Sequence, residues 1–230
     1  MIDWEMQWEL HAPNFSEGRL QLPLAPYGVE GTLDLHPGPG FGDFSHPTTK
    51  LTAQMMAALV KNKTVVDIGC GSGILTLLAL KLGASKALGI DCDPLSVEHA
   101  RENAKRSGQK AHFYLPDRAP LPNNSCLLMN MIASQQQEAL TQYAPLFKNP
   151  LYIVTSGILE EDQDYLAKTE HWGWKLLKKE SLDGWMGFVF INPSPKKVTI
   201  CASEAKPKQR GEAPVCTRNT IAKGKGDEED

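Results

Sequence analysis

A doubly wound α/β fold, with a mostly parallel sheet covered on both faces, is what this 230-residue sequence predicts. Three observations predict it. From Thr64 onward, short apolar runs alternate with helical patterns, the order that builds parallel β-α-β units. Asp67-Ile68-Gly69-Cys70-Gly71-Ser72-Gly73 sets a glycine turn between the first of those runs and the helix that follows it. Near the other end, Trp174–Glu180 and Gly184–Ile191 are separated only by Ser181-Leu182-Asp183, a hairpin that adds an antiparallel edge.

The elements follow in order. Residues 1–45 carry Trp4, Trp8, Phe15 and Tyr27 among many glycines and prolines, with short strands at Arg19–Leu22 and Gly31–Leu35 and no strong period. Leu51–Val60 has helical spacing, opened by Pro47-Thr48-Thr49, because proline suits a first turn and threonine a cap. Thr64–Ile68 is a continuous apolar strand, and Ile74–Leu82 is a helix apolar around most of its circumference. Lys86–Asp91 is a strand, and Pro94–Ser107 a helix bounded by its first-turn proline and by Gly108. Strands at Ala111–Leu115, Cys126–Met131 and Leu151–Thr155 frame a helix at Gln135–Phe147, and a further helix is expected at Glu160–Glu170. Residues 203–230 have no aromatic residue, are rich in Lys, Glu, Gly and Pro, and end Asp-Glu-Glu-Asp. A segment of that composition buries too little apolar surface to offset its ordering entropy, so it reads as a disordered tail.

Composition narrows the class of protein. With 41% hydrophobic and 22% charged residues the chain suits one globular domain plus an extra segment. A net charge of −3 gives no broad basic footprint, so direct nucleic-acid binding is not expected. No apolar run approaches the ~20 residues of a membrane span, and the acidic, aromatic start lacks the pattern of a signal peptide. Cys70, Cys92, Cys126, Cys201 and Cys216 are scattered and include no Cys-x-x-Cys, which reads as reduced thiols, no metal site and a cytoplasmic location. Cys70 and Cys92 read as small buried fillers.

In a doubly wound sheet, ligands bind outside the carboxyl ends of the strands where strand order reverses. The glycine turn lies at such an end, and the next strand closes on Asp91, whose carboxylate can accept both hydroxyls of a ribose. Asp93, just before Pro94, suits a helix cap better. A dinucleotide-binding turn places its third glycine where this chain has Ile74, which disfavours a nicotinamide cofactor. Asp67 through Gly73 instead resembles the Asp-x-Gly-x-Gly-x-Gly motif of S-adenosylmethionine-dependent methyltransferases.

A second motif makes the resemblance specific. Pro37-Gly38, Phe41-Gly42 and His46-Pro47-Thr48-Thr49 lead through a helix into the glycine turn; Gly89-Ile90-Asp91-Cys92-Asp93-Pro94, Met129-Asn130-Met131-Ile132-Ala133 and Ser156-Gly157-Ile158-Leu159 follow. Over roughly residues 34–190 this set resembles the bacterial ribosomal protein L eleven methyltransferase family, enzymes that methylate lysine and N-terminal amines of a ribosomal protein. The resemblance implies a Rossmann-like, seven-stranded class I methyltransferase sheet over 34–192, after a linker-like segment at 1–33 and before a charged tail at 193–230. It implies S-adenosyl-L-methionine as cofactor and assigns contacts with it to Thr49, Gly69, Gly71, Asp91 and Asn130, with Gly73 lining the turn. Asn130 is also the candidate for positioning the target amine, against a plainer reading as a cap on the next helix. His46 reads as a loop-structuring residue held extended by Pro47, and no residue is nominated as general base.

Two departures from the family pattern bear on function. The family's Thr-Gly-Thr after Phe-Gly is replaced by Asp43-Phe44-Ser45, which strains the backbone if the glycine place needs positive φ. The family's N-terminal docking domain is not matched either, because roughly 33 residues precede the loop, against about 50 in a small domain. The expected activity is therefore protein N-methylation, with a large-subunit ribosomal protein as the partner the resemblance implies. A methyltransferase of another protein or of a small molecule, and a cofactor-binding pseudoenzyme, stand as alternatives.

Overall fold

In the computed structural model, which describes residues 2–162, 164–166 and 173–193, two sheets share a hydrophobic interior. The main sheet holds β4 (Thr64–Ile68), β5 (Lys86–Ile90), β6 (His112–Tyr114), β7 (Cys126–Asn130), β8 (Tyr152–Leu159), β9 (Lys175–Leu182) and β10 (Trp185–Ile191). Its order is β6-β5-β4-β7-β8-β10-β9, parallel from β6 to β8, with β10 antiparallel to both of its neighbours. The order turns back at β4, so the switch point lies between the carboxyl ends of β4 and β7.

Side-chain alternation explains the layers. On β4, Val65 faces one core cluster and Val66 the other; on β7, Leu128 joins the first, and Leu127 and Met129 the second. Residues of α2 (Pro47–Met56), α3 (Ile74–Lys81) and α4 (Pro94–Arg106) fill the first cluster, and those of α5 (Ala133–Gln142) and α6 (Ala144–Phe147) fill the second. Both faces are covered, as a sheet of buried parallel strands requires.

The N-terminal segment read as linker-like is structured. It carries α1 (Trp4–His11), β1 (Phe15–Ser16), β2 (Arg19–Pro23) and β3 (Thr32–Leu35), the strands forming a three-stranded antiparallel sheet. Trp8, Leu20, Leu22, Leu33 and Leu35 enter the same core cluster as α3 and α4, so no boundary falls at residue 33.

Other boundaries shift for local reasons. Helix α2 starts a turn earlier than the spacing predicts and is capped by His46, whose side chain accepts from Thr48 N; neither threonine is the cap. Pro145, in the first turn of α6, accompanies the break between α5 and α6 where one helix was expected. Strand β8 runs through Ser156-Gly157 to Leu159; Gly157, at φ 96°, sits where the register with β10 shifts, and the bulge absorbs it. The hairpin loop is Asp183-Gly184, both at positive φ, a shorter turn than Ser181–Asp183. Most of the helix expected at Glu160–Glu170, and all of the expected disordered tail, lie outside the described residues. Cys70 and Cys126 are free and buried. Cys92 is exposed, so it is not a buried filler. No helix among the described residues is long and apolar enough to cross a membrane.

Candidate active site

The glycine turn is tied to its surroundings through its backbone. Gly69, Gly71 and Gly73 have φ of 75°, 53° and 83°, a region closed to most side chains. At Gly71 a β-carbon would also lie 2.2 Å from Phe41 O. The loop containing Phe41 is stitched to the turn, because Ser72 N donates to Phe41 O and Ser72 Oγ to Gly42 O, each at 2.7 Å. On the β5 side, Gly69 N and Cys70 N donate to Ile90 O at 2.7 and 3.1 Å.

Asp91 closes β5 and holds the turn. Its Oδ2 accepts from Gly71 N at 2.9 Å and its Oδ1 from Asp93 N at 3.0 Å. Burial raises its carboxyl above the usual carboxylate range, opposed by the bonds from Asp93 and Gly71. The Cys92 backbone also lowers it, by a smaller amount. Asp93 does cap α4, accepting from Leu95 N at 3.2 Å.

Asn130 ends β7, the strand beside β4. Its Nδ2 donates to Thr49 Oγ1 at 3.2 Å, joining the first turn of α2 to the switch point. Helix α5 begins after Ile132 with no side-chain cap, so Asn130 is not that helix's cap. His46 lies between aromatic edges, 5.8 Å from Phe41 and 5.0 Å from Trp185 by ring centroids. Burial, ahead of nearby charges, lowers its pKa, so the ring is neutral at pH 7.

The altered lid residues form a self-consistent turn. Phe44 does take positive φ, 65°, a strain of about 1–2 kcal/mol for a side-chain-bearing residue. Its ring is buried and meets Tyr27 edge-on at 6.5 Å. Burying a Phe is worth about 1.5–3 kcal/mol, which matches or exceeds the strain. Asp43 Oδ1 accepts from both Ser45 N and Ser45 Oγ, at 2.9 and 2.6 Å, so its carboxylate is occupied within the loop.

Sequence reading left out Asp67 as a site residue. It is fully buried at the foot of the glycine turn; Oδ2 accepts from Thr76 Oγ1 at 2.7 Å, and Oδ1 has no partner. Burial first, and the charge of Asp91 less, push its carboxyl up to about 7, while Thr76 holds it down. The folded pKa thus exceeds the unfolded value of about 3.9. Its contribution is full below that lower value and is lost as pH rises through about 7. Urea unfolding of the cofactor-free protein should therefore show stability falling between about pH 4 and 7, by no more than about 4 kcal/mol from this group. Asp67→Asn should flatten that fall; an unchanged slope would place the charge elsewhere.

Thr49, Gly69, Gly71, Asp91 and Asn130 thus come from separate segments and surround the carboxyl ends of β4, β5 and β7, linked pairwise through Thr49–Asn130 and Gly71–Asp91. His99 and Asn103 of α4, which tie the 36–42 loop in place, were not foreseen. A signal existed: Ser96, His99 and Asn103 put polar residues on the buried stripe of an amphipathic helix. Among the described residues no group of three or more His, Cys, Asp or Glu side chains is placed to hold a metal ion.

Sheet order, antiparallel hairpin and glycine turn define the Rossmann-like class I methyltransferase fold. Within that class the chain belongs to the family described as "Ribosomal protein L11 methyltransferase (PrmA)", whose family model matches residues 24–192. A protein of that name from Neisseria gonorrhoeae is 38% identical over 162 residues, spanning 70% of this chain and 55% of the relative. One from Chromobacterium violaceum is 43% identical over 144 residues, spanning 62% and 48%. The chain therefore covers about half the length of these curated relatives. The solved ribosomal protein L11 methylase of Lactobacillus delbrueckii subsp. bulgaricus has the same fold, with a TM-score of 0.57 at 24% identity over 68% of this chain and 82% of that one.

Proposed function

We propose that this chain is an S-adenosyl-L-methionine-dependent protein N-methyltransferase acting on lysine or N-terminal amines, with a ribosomal protein as substrate and the cytoplasm as its location. One observation carries the reading: the five residues that the motifs select converge at the switch point beneath a loop bonded to the glycine turn. Family membership supports it.

The residues present fit the cofactor. The missing β-carbons at Gly69 and Gly71 let Met131 and the Phe41 backbone pack directly against the turn, which fixes the shape of the crevice floor. Asp91 offers its carboxylate to the ribose hydroxyls, and Asp67 Oδ1, buried without a donor, suits an ammonium group. When bound, the cofactor supplies an electrophilic methyl on a sulfonium, which departs with its bond electrons as a neutral thioether. The chain's task is then positioning. The Asn130 side-chain oxygen, its amide nitrogen being engaged by Thr49, accepts from the incoming neutral amine and turns the nitrogen lone pair towards the methyl. Lysine, with a reference pKa of about 10.4, enters this role once desolvation favours its neutral form; the proton displaced from nitrogen leaves to water.

Calorimetry with S-adenosylmethionine and with NAD tests the cofactor: binding of the first alone is expected, and binding of neither or of NAD alone overturns the reading. Labelled methyl transfer into ribosomal proteins from cells lacking the gene tests the substrate. Label in a ribosomal protein is expected, and label only in small molecules overturns the protein assignment.

A further inference from the structure

Of the polar residues that helix α4 buries, His99 and Asn103 are the large ones, set where apolar side chains would be expected. Asn103 is completely buried and His99 nearly so, at 8% exposure. Their hydrogen bonds reach the lid loop and the glycine turn, and the two side chains also touch each other, Asn103 Nδ2 lying 3.1 Å from His99 Nε2. Asn103 Oδ1 accepts from His36 N at 2.9 Å, and its Nδ2 donates to Ser72 O at 3.0 Å. Gly40 N donates to His99 Nδ1 at 3.1 Å, and His99 Nε2 lies 2.8 Å from His36 O. The imidazole lies flat on Gly38, where a β-carbon would come within 2.4 Å of Cδ2, and Trp8 meets it edge-on at 6.0 Å.

These partners define the tautomer. Gly40 N–H requires a bare Nδ1, and the His36 carbonyl requires a proton on Nε2. Only the neutral ring satisfies both. A second proton, on Nδ1, would aim one N–H at another. The Gly40 amide would lose its acceptor, at a cost of about 1–3 kcal/mol.

We propose that His99, acting through the 36–42 loop and backed by Asn103, is a positioning residue that fastens the lid over the cofactor crevice only while its ring is neutral. The inference rests on the cofactor reading for its consequence, not for the latch itself. The loop is bonded to Ser72 of the glycine turn on one side and to α4 on the other. Its release at α4 therefore loosens the surface against which the cofactor is held.

Surrounding charges agree with a ring that resists protonation. Burial chiefly lowers the His99 pKa, with His36 of the loop and Arg106 of α4 adding to it, while the bond to the His36 carbonyl opposes it. His36 is itself influenced by Arg106 and Glu102 of α4, Arg19 of β2 and Asp34 of β3. Glu98, Arg101 and Lys105 line the outer groove beside His99. Helix α1 presents the uncharged Trp8 ring, and the glycine turn the uncharged Ser72.

The test compares the full chain with His99→Asn, whose Oδ1 can accept from Gly40 N but does not titrate. Hydrogen exchange of residues 36–46, corrected for intrinsic rates and measured without cofactor from pH 5 to 8, should show wild-type protection falling roughly tenfold at acid pH. The variant should lack that fall. With S-adenosylmethionine added, the wild-type Kd should weaken in parallel, through KM more than kcat, with the same difference between proteins. Asp67 and His46 also titrate near the crevice, so the wild-type-minus-variant difference is the readout. Coincident exchange profiles for the two proteins would overturn the latch, whereas failure of cofactor binding with the exchange difference intact would overturn only the cofactor reading. Should the variant not fold, imidazole 15N shifts of the wild type at pH 7.5 decide: a protonated Nε2 and bare Nδ1 on His99 are expected, and the opposite tautomer overturns the proposal.

Discussion

Asp91→Ala is expected to weaken S-adenosylmethionine binding at least about 100-fold while leaving a folded protein. The size follows from what the carboxylate does. Two ribose hydroxyls donating to an ionised acceptor are worth about 1.5–3 kcal/mol each, so losing both removes about 3–6 kcal/mol, or roughly two to four decades in Kd. Alanine also frees Gly71 N and Asp93 N, which now donate to Asp91, so the turn itself loosens. Asp91→Asn separates the two effects poorly, because its amide nitrogen would face one of those donors with another. Asp91→Glu keeps the charge but moves it by one methylene, and should recover part of the affinity. Calorimetry gives Kd, and circular dichroism with thermal unfolding checks the fold. Wild-type affinity in a folded Asp91→Ala protein would remove the ribose from this strand end and, with it, the proposed orientation of the cofactor.

Legibility in the sequence followed the range of the interactions involved. Strand β4 was read to its ends, because a fully buried central strand is a continuous apolar run and the glycine turn stops it. Helix α4 was read from local signals, Asp93-Pro94 at one end and Gly108 beyond the other. Helix α1 was missed because its one buried residue, Trp8, gives no helical stripe. Strand β8 was cut short at Ser156-Gly157, since a glycine that accommodates a bulge looks the same as one that ends a strand. Gly69, Gly71, Asp91 and Asn130, which the resemblance to the family assigns, each lie at or just beyond a strand end beside the switch point. Asp67 stood in the motif, yet only burial shows that one of its oxygens lacks a partner. The lid attachment was illegible for a simpler reason: Gly40 and His99 are 59 residues apart, and neither has a local signal for the other. Phe44 shows the converse. Its strain was visible in the sequence, but the compensating contact with Tyr27 was not.

Asn130→Ala should cut kcat by about 100-fold and change cofactor Kd by less than about fivefold, a split that distinguishes amine positioning from cofactor holding. The structure narrows the alternatives for this side chain. It does not cap α5, and its contact is Thr49 Oγ1 across the switch point. That contact leaves the amide oxygen as the free hydrogen-bonding end at a half-buried strand terminus. Alanine removes the acceptor, and an amine without one samples orientations in which its lone pair misses the methyl. Thr49→Val supplies the control: it removes the hydroxyl that orients the amide, so kcat should fall by a smaller factor, about tenfold, with the acceptor still present. Asn130→Asp keeps an oxygen acceptor and lets the Thr49 hydroxyl donate in return, so it should recover much of the lost turnover. If Asn130 served only to tie α2 to β7, Thr49→Val and Asn130→Ala would lose stability together and kcat equally, and aspartate would rescue stability rather than turnover. Single-turnover methyl transfer at saturating cofactor, read beside urea unfolding of each variant, separates the two patterns; an unchanged kcat in Asn130→Ala would leave amine positioning without a residue at this strand end.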